Sequence, residues 1–145
     1  MEIYTIGFTK KSADEFFQLL ERHAIRRLID VRLNNRSQLA GFTKCGDLAF
    51  FLERICSAEY RHEPILSPTK EILDGYKKGL IPWEEYEPRF LELLAEREVE
   101  RFVDRRLFEV PCVLLCSEPE PRHCHRRLVA EYLAGKWDVA KVVHL

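Results

Sequence analysis

The sequence predicts a single three-layer α/β domain with a mainly parallel sheet flanked by helices, in the manner of Rossmann-like or flavodoxin-like folds. Three observations carry that expectation. Short β-prone apolar runs alternate with helical patterns along the chain, which is the order of a layered α/β protein. The first strand–helix–strand unit has about the length a right-handed crossover needs, which implies parallel pairing. A late run, Val110-Pro111-Cys112-Val113-Leu114-Leu115-Cys116, is the most hydrophobic in the chain and suits a strand buried on both faces.

The elements follow in order. Met1 to Ile6 reads as a first strand, stopped by Gly7. Ser12 is a good N-cap, with Glu15 at the capping-box spacing, and Phe16, Leu19, Leu20 and His23 recur at helical intervals to about His23. Arg27 to Val31 is the second strand. Leu33 to Cys45 is a polar loop, after which Asp47 is expected to cap a helix from about Leu48 to Ser57, with Leu48, Phe51, Leu52 and Ile55 on one face. Glu59 to His62 is a short strand candidate, and Thr69 to Lys78 a short helix between prolines and glycines. Glu84 to Phe102 carries one long helical pattern, with Pro88 near its start. After the buried strand, an acidic loop from Ser117 to Pro121 leads to a helix from about Arg122 to Gly135, where Gly135 is the expected C-cap. Val139 to Leu145 forms the last strand.

The chain of 145 residues is the size of one domain with a sizeable core, and nothing in it marks an internal boundary or repeat. A net charge of −1 offers no global attraction to nucleic acid or acidic membrane, so anion binding has to be local. The N-terminal residues lack a signal-peptide pattern, and no apolar run reaches the roughly 20 residues of a membrane helix. Five cysteines, odd in number and irregularly spaced, point to free thiols and a cytoplasmic setting.

In open α/β sheets ligands bind outside the carboxyl ends of the strands, where strand order reverses. The residues there are Gly7-Phe8-Thr9, Asp30 to Arg32, His62-Glu63 and Cys116 to Glu118. The densest chemistry lies between Cys116 and Arg127, where Glu118 follows the strand and His123, Cys124, His125, Arg126 and Arg127 open a helix. Cations in a first turn are opposed by the helix dipole, and an anionic ligand would offset that cost.

Three mechanisms could use the cluster. Cys116, Cys124 and His125 offer ligands of zinc type, although no CxxC pair accompanies them. Cys116 stands at the spacing from Arg122 of a phosphatase nucleophile, but its acidic, glycine-free loop opposes a thiolate and a phosphate. The reading with the fewest assumptions makes Glu118 the acid or base and lets His125 and Arg126 hold an anion. It assigns no metal, and Cys116 and Cys124 stay as candidate nucleophile or ligands. Asp30 and Arg32, with Arg36 beyond them, are expected across the same cleft, against the alternative of a structural ion pair. Tyr76, Trp83, Tyr86 and Phe90 read as packing aromatics, and His62 as a surface or satisfied residue.

Three passages together resemble the domain of unknown function 488 family: Tyr4-Thr5-Ile6-Gly7-Phe8-Thr9, Leu28-Ile29-Asp30-Val31-Arg32, and Leu115-Cys116-Ser117-Glu118 with Cys124-His125-Arg126. The family's opening is close to Thr-Ile-Gly-His-Ser, so Phe8 and Thr9 depart from it. The resemblance implies an α/β domain whose shared polar residues gather near Asp30, Arg32, Cys116, Glu118, Cys124, His125 and Arg126. It brings no established reaction and leaves the cofactor unknown.

The expectation is an enzyme acting on a phosphorylated or otherwise anionic substrate, a nucleotide or nucleic acid among them, with hydrolysis one candidate reaction. Asp30, Glu118 and His125 would be catalytic; Arg32, Arg36 and Arg126 would bind the anion. The rivals are a non-catalytic module binding nucleotide or nucleic acid through that cleft, and a structural metal-binding domain.

Overall fold

The computed structural model describes residues 2–36, 41–118, 120–139 and 141–145. Five parallel strands form one sheet: β1 (Glu2–Gly7), β2 (Arg27–Asp30), β3 (Glu59–His62), β4 (Cys112–Cys116) and β5 (Lys141–His144). Their spatial order is β3-β2-β4-β1-β5. β1 and β2 are therefore parallel, as expected, but not paired, because β4 lies between them and bonds to both. The apolar run explains this. Every residue of β4 is buried, and only a central position covers both faces and both edges.

The helices are α1 (Ala13–Arg22), α2 (Cys45–Phe51), α3 (Lys70–Lys77), α4 (Trp83–Glu96), the short α5 (Val99–Phe102) and α6 (His125–Trp137). Strand alternation splits the core in two. Phe16, Leu20, Leu48 and Leu52 of the first two helices pack on Ile6, Leu28, Val113 and Leu115. Phe90, Leu94, Leu128 and Leu133 cover Ile3, Ile29, Cys112 and Leu114 on the other face. Right-handed crossovers account for this sorting: the chain leaves β1 and β2 toward the β3 edge, and leaves β4 in the opposite direction toward β5. The carboxyl ends of neighbouring β1 and β4 are thus a topological switch point.

Several boundaries differ from the sequence reading. Ser12 makes the full capping box with Glu15, as expected. The second helix starts at Cys45, with Asp47 inside its first turn, and continues through a π-helical turn over Leu52–Cys56. That wider turn advances each residue through a smaller angle and shifts the apolar stripe, so Leu48 and Leu52 are buried while Ile55 faces solvent. The pattern expected as one helix from Glu84 to Phe102 ends at Glu96; Glu98 takes a left-handed conformation (φ 50°) and separates α5. The last helix starts three residues later than expected, with Cys124 at the N-cap, and runs through Gly135 to Trp137. Asp138, with φ 53°, takes the capping role that the sequence suggested for glycine. Of the loop expected over 33–45, residues 37–40 lie outside the described residues, as do Met1, Pro119 and Ala140. No helix among the described residues is long and apolar enough to cross a membrane.

Candidate functional site

Parallel registration sets four strand ends side by side: Asp30 lies opposite His62 and Leu115, and Gly7 opposite Cys116. Above them is a cleft of about 170 Å³. Phe8, Thr9, Arg32, Asn34, Ser117 and Glu118 line it from the strand ends, and Cys116, Cys124, His123 and His125 from the approach to α6. Leu73, Tyr76, Lys77, Trp83 and Tyr86 close the side facing α3 and α4.

The loop after β4 is fixed from beneath by Arg126, which is fully buried. Its Nε donates to Thr5 Oγ1 at 3.2 Å, and Nη1 donates to the Glu118 carbonyl and lies 3.8 Å from Cys116 Sγ. Burial pulls this guanidinium down to about 10, so it remains a cation at neutral pH. Gly7 belongs to the same junction. A Cβ there would collide with the Glu118 carbonyl and with Arg126, so only glycine lets β1 pass this close.

Asp30 and Arg32 meet as a buried bidentate pair. Asp30 Oδ1 accepts from Arg32 N and Nε at 3.1 and 2.9 Å, and Oδ2 accepts from Arg32 Nη2 at 2.8 Å and from the Tyr60 hydroxyl at 2.6 Å. Burial and this bond to Asp30 raise the Tyr60 phenol, which stays protonated. Arg32 Nη2 also donates to the Thr43 carbonyl, and the guanidinium lies over the Phe8 ring at 5.3 Å. Arg32 Nη1 differs: it is buried and has no hydrogen-bond partner among the described residues.

His125 opens α6 with its ring edge-on to Phe90 and Nε2 at 2.8 Å from the Val31 carbonyl. Burial drives its pKa down to about 4, so the ring is neutral at physiological pH. The Sγ atoms of Cys116 and Cys124 lie within bonding distance of each other. The sequence expectation of free thiols therefore holds for Cys45, Cys56 and Cys112 but not for this pair. Strand alternation brings it together. Cys116 is two residues beyond Leu114 and shares its α6-facing side, where Cys124 begins the helix.

A model of the family described as "Domain of unknown function DUF488" matches residues 12–133. The chain belongs to the DUF488 family. The match takes in Asp30, Arg32 and the whole Cys116–Arg126 segment of this DUF488 domain, and it leaves the opening Tyr4–Thr9 passage outside. No curated protein and no solved structure matches the chain.

The structure divides the residues singled out from the sequence. Glu118, Arg32, His125, Cys116 and Cys124 line one cleft. Asp30 is withdrawn beneath it with both oxygens engaged, and Arg126 supports the loop from below; neither is among the lining residues. Arg36 is exposed and also absent from the lining. A neutral His125 adds no positive charge for an anion. The phosphatase-like pairing of Cys116 with Arg122 fails, because Arg122 is not among the cleft residues and Cys116 faces Cys124. His62 is satisfied by the Arg32 carbonyl at 2.8 Å. Sequence reasoning missed the α3–α4 wall. Tyr86 and Trp83 are packed, as their spacing suggested, yet their edges and Tyr76 and Lys77 also border the cleft. The signal that could have found it was the crossover rule, which sends the chain after β3 back over this face.

Proposed function

We propose that this DUF488 domain is an enzyme acting on a small anionic substrate, such as a mononucleotide or sugar phosphate, bound at the β1–β4 switch point. The carrying observation is Arg32: a buried guanidinium lines the cleft and leaves Nη1 without a partner among the described residues. An unsatisfied buried donor is costly, and a phosphate or carboxylate oxygen is the group that best offsets it. Lys77 adds a second cation at the rim, and Tyr76, Trp83 and Tyr86 supply apolar surface for the rest of the molecule. Glu118 is the one carboxylate among the lining residues, and it takes the acid–base role. A cleft of about 170 Å³ in a chain of net charge −1 suits a metabolite better than a nucleic-acid strand. On this reading the chain, with free thiols at Cys45, Cys56 and Cys112, works in the cytoplasm.

A second reading, a module that binds the same ligand without chemistry, draws on the engagement of Asp30, which removes one of the two carboxylates the strand ends offered. One experiment separates the readings. Nucleotides, sugar phosphates and inorganic phosphate are screened by thermal shift and by fluorescence of Trp83, which lines the cleft, with Trp83→Phe removing the signal. A ligand at a hundred times its Kd stabilises by about 2.7 kcal/mol, roughly 5 to 10 °C for a chain of this size. Binders are then assayed for turnover with Glu118→Gln. Turnover lost in a folded, ligand-binding Glu118→Gln variant supports the enzyme; binding without turnover in the wild type supports the module. No shift from any anion sinks both.

A further inference from the structure

Cys116, Cys124 and His125 present two sulfurs and a ring nitrogen that all lie within 4.8 Å of one another. Separate elements bring them there: Cys116 ends β4, and Cys124 and His125 are the N-cap and first residue of α6. The Cα atoms of the two cysteines are 7.7 Å apart, outside the roughly 4.4–6.8 Å that disulfides usually span. Two thiolates that grip a common ion are under no such limit.

The histidine is arranged as a ligand. A carbonyl can only accept, so His125 Nε2 carries the proton on its bond to the Val31 oxygen, and the lone pair is left on Nδ1. A backbone carbonyl on the distal nitrogen is the usual contact that fixes the tautomer and orientation of a metal-bound imidazole. Phe90 limits the ring from its side. Arg126 Nη1, 3.8 Å from Cys116 Sγ, holds that sulfur at the end of β4.

Two thiolates and one imidazole suit a borderline-soft divalent ion of zinc type. All three residues line the cleft, and an ion held by three protein ligands would keep a fourth position for water or substrate. Three protein ligands with an open fourth position is the arrangement of a catalytic centre rather than a closed structural one. We infer that, with the cysteines reduced, Cys116, Cys124 and His125 bind one zinc-type divalent ion at the floor of the cleft, with its fourth position available to water or substrate. This stands whether or not the cleft takes the anion assigned to it above, since metal content is read without any organic ligand.

The test uses the full chain, purified with a phosphine reductant, stripped with a chelator and then titrated with zinc or cobalt. Elemental analysis should find about one ion per chain, and cobalt should give a near-ultraviolet thiolate-to-metal band and tetrahedral visible bands. Cys116→Ser, Cys124→Ser and His125→Gln should each weaken binding by more than the roughly 10–100-fold that loss of an outer-shell partner costs. Cys45→Ser and Cys56→Ser should change nothing. Should the ligand variants fail to fold, the cobalt spectrum of the wild-type chain still decides whether thiolates hold the ion. A wild-type chain that retains no ion, or an ion that survives all three ligand substitutions, overturns the inference. So does a pair that resists the reductant and leaves only Cys45, Cys56 and Cys112 titratable after denaturation.

Discussion

Replacing Asp30 by Asn separates a structural carboxylate from a catalytic one. The wild-type side chain accepts four hydrogen bonds, three from Arg32 and one from Tyr60, at 2.6 to 3.1 Å. Asn keeps the shape and one acceptor oxygen but places an NH2 group where the other oxygen stood. If that group takes the Oδ2 position, Arg32 Nη2 faces a donor and Tyr60 must reverse its hydroxyl. The larger effect is charge. Arg32 is 5% exposed and Asp30 fully buried, so the variant leaves a desolvated guanidinium without its counter-ion. Breaking a buried pair in this way costs about 3–5 kcal/mol, a large share of the roughly 5–15 kcal/mol that keeps a domain folded. The midpoint of thermal unfolding should fall by roughly 10 °C, and urea titration should show a lower midpoint at unchanged slope. The double variant Asp30→Leu, Arg32→Met should recover much of the loss, because an apolar pair of similar volume removes both desolvated charges. If Asp30 instead carried protons for a reaction, Asp30→Asn would abolish turnover and leave stability within about 1 kcal/mol. That result would refute the structural assignment.

Three further outcomes follow from the same geometry. Gly135→Ala should stabilise by up to about 1 kcal/mol, since Gly135 sits inside α6 with open space where the added methyl would go and no positive φ; destabilisation in urea would return the C-cap to that residue. Gly7→Ala should destabilise by at least the roughly 1–3 kcal/mol of an overpacked site, because the methyl meets the backbone carbonyl of Glu118; a neutral result would mean that the β4 loop does not close on β1. His125 should make the metal-free chain acid-labile. The unfolded ring takes up a proton near pH 6.5 and the folded ring only near 4, so the unfolded state binds more protons between those values. Stability therefore falls as pH drops from about 6.5 to 4, by on the order of 3 kcal/mol, and His125→Gln should flatten the profile measured by urea midpoints.

Much of the fold could be read from the sequence because period and punctuation are local. Ser12 with Glu15, the β3 residues Glu59–His62 and the short helix expected over Thr69 to Lys78 are where their own neighbours place them. The misplacements come from interactions that local pattern does not encode. The insertion of β4 between β1 and β2 depends on which strand most needs burial on both faces, a comparison across the whole chain. The outward turn of Ile55 depends on one i→i+5 turn, and the break at Glu98 on a left-handed residue that propensity disfavours.

The site was readable as a place and not as a set of roles, for a reason specific to charged residues. Sequence order and the strand-end rule bring Asp30, Arg32, Glu118, His125 and Arg126 to one crevice, but they do not say which charges consume one another. Asp30 takes three of Arg32's donors and Tyr60's hydroxyl, so the carboxylate closest to the sheet is satisfied and withdrawn. Arg126 is taken by Thr5 and the Glu118 carbonyl, which turns an apparent anion ligand into the support of a loop. What these engagements leave over is one guanidinium nitrogen of Arg32, the Glu118 carboxylate, and a His125 ring nitrogen within 4.8 Å of two sulfurs. The first calls for an anion and the last for a soft cation. An ion held by the sulfurs and a phosphate held by Arg32 would meet in the same small volume, where each would strengthen the binding of the other. Zinc-dependent tightening of phosphate binding, seen in the wild type and lost in Cys124→Ser, is the coupling that follows, and binding that is independent of the ion would separate the two sites.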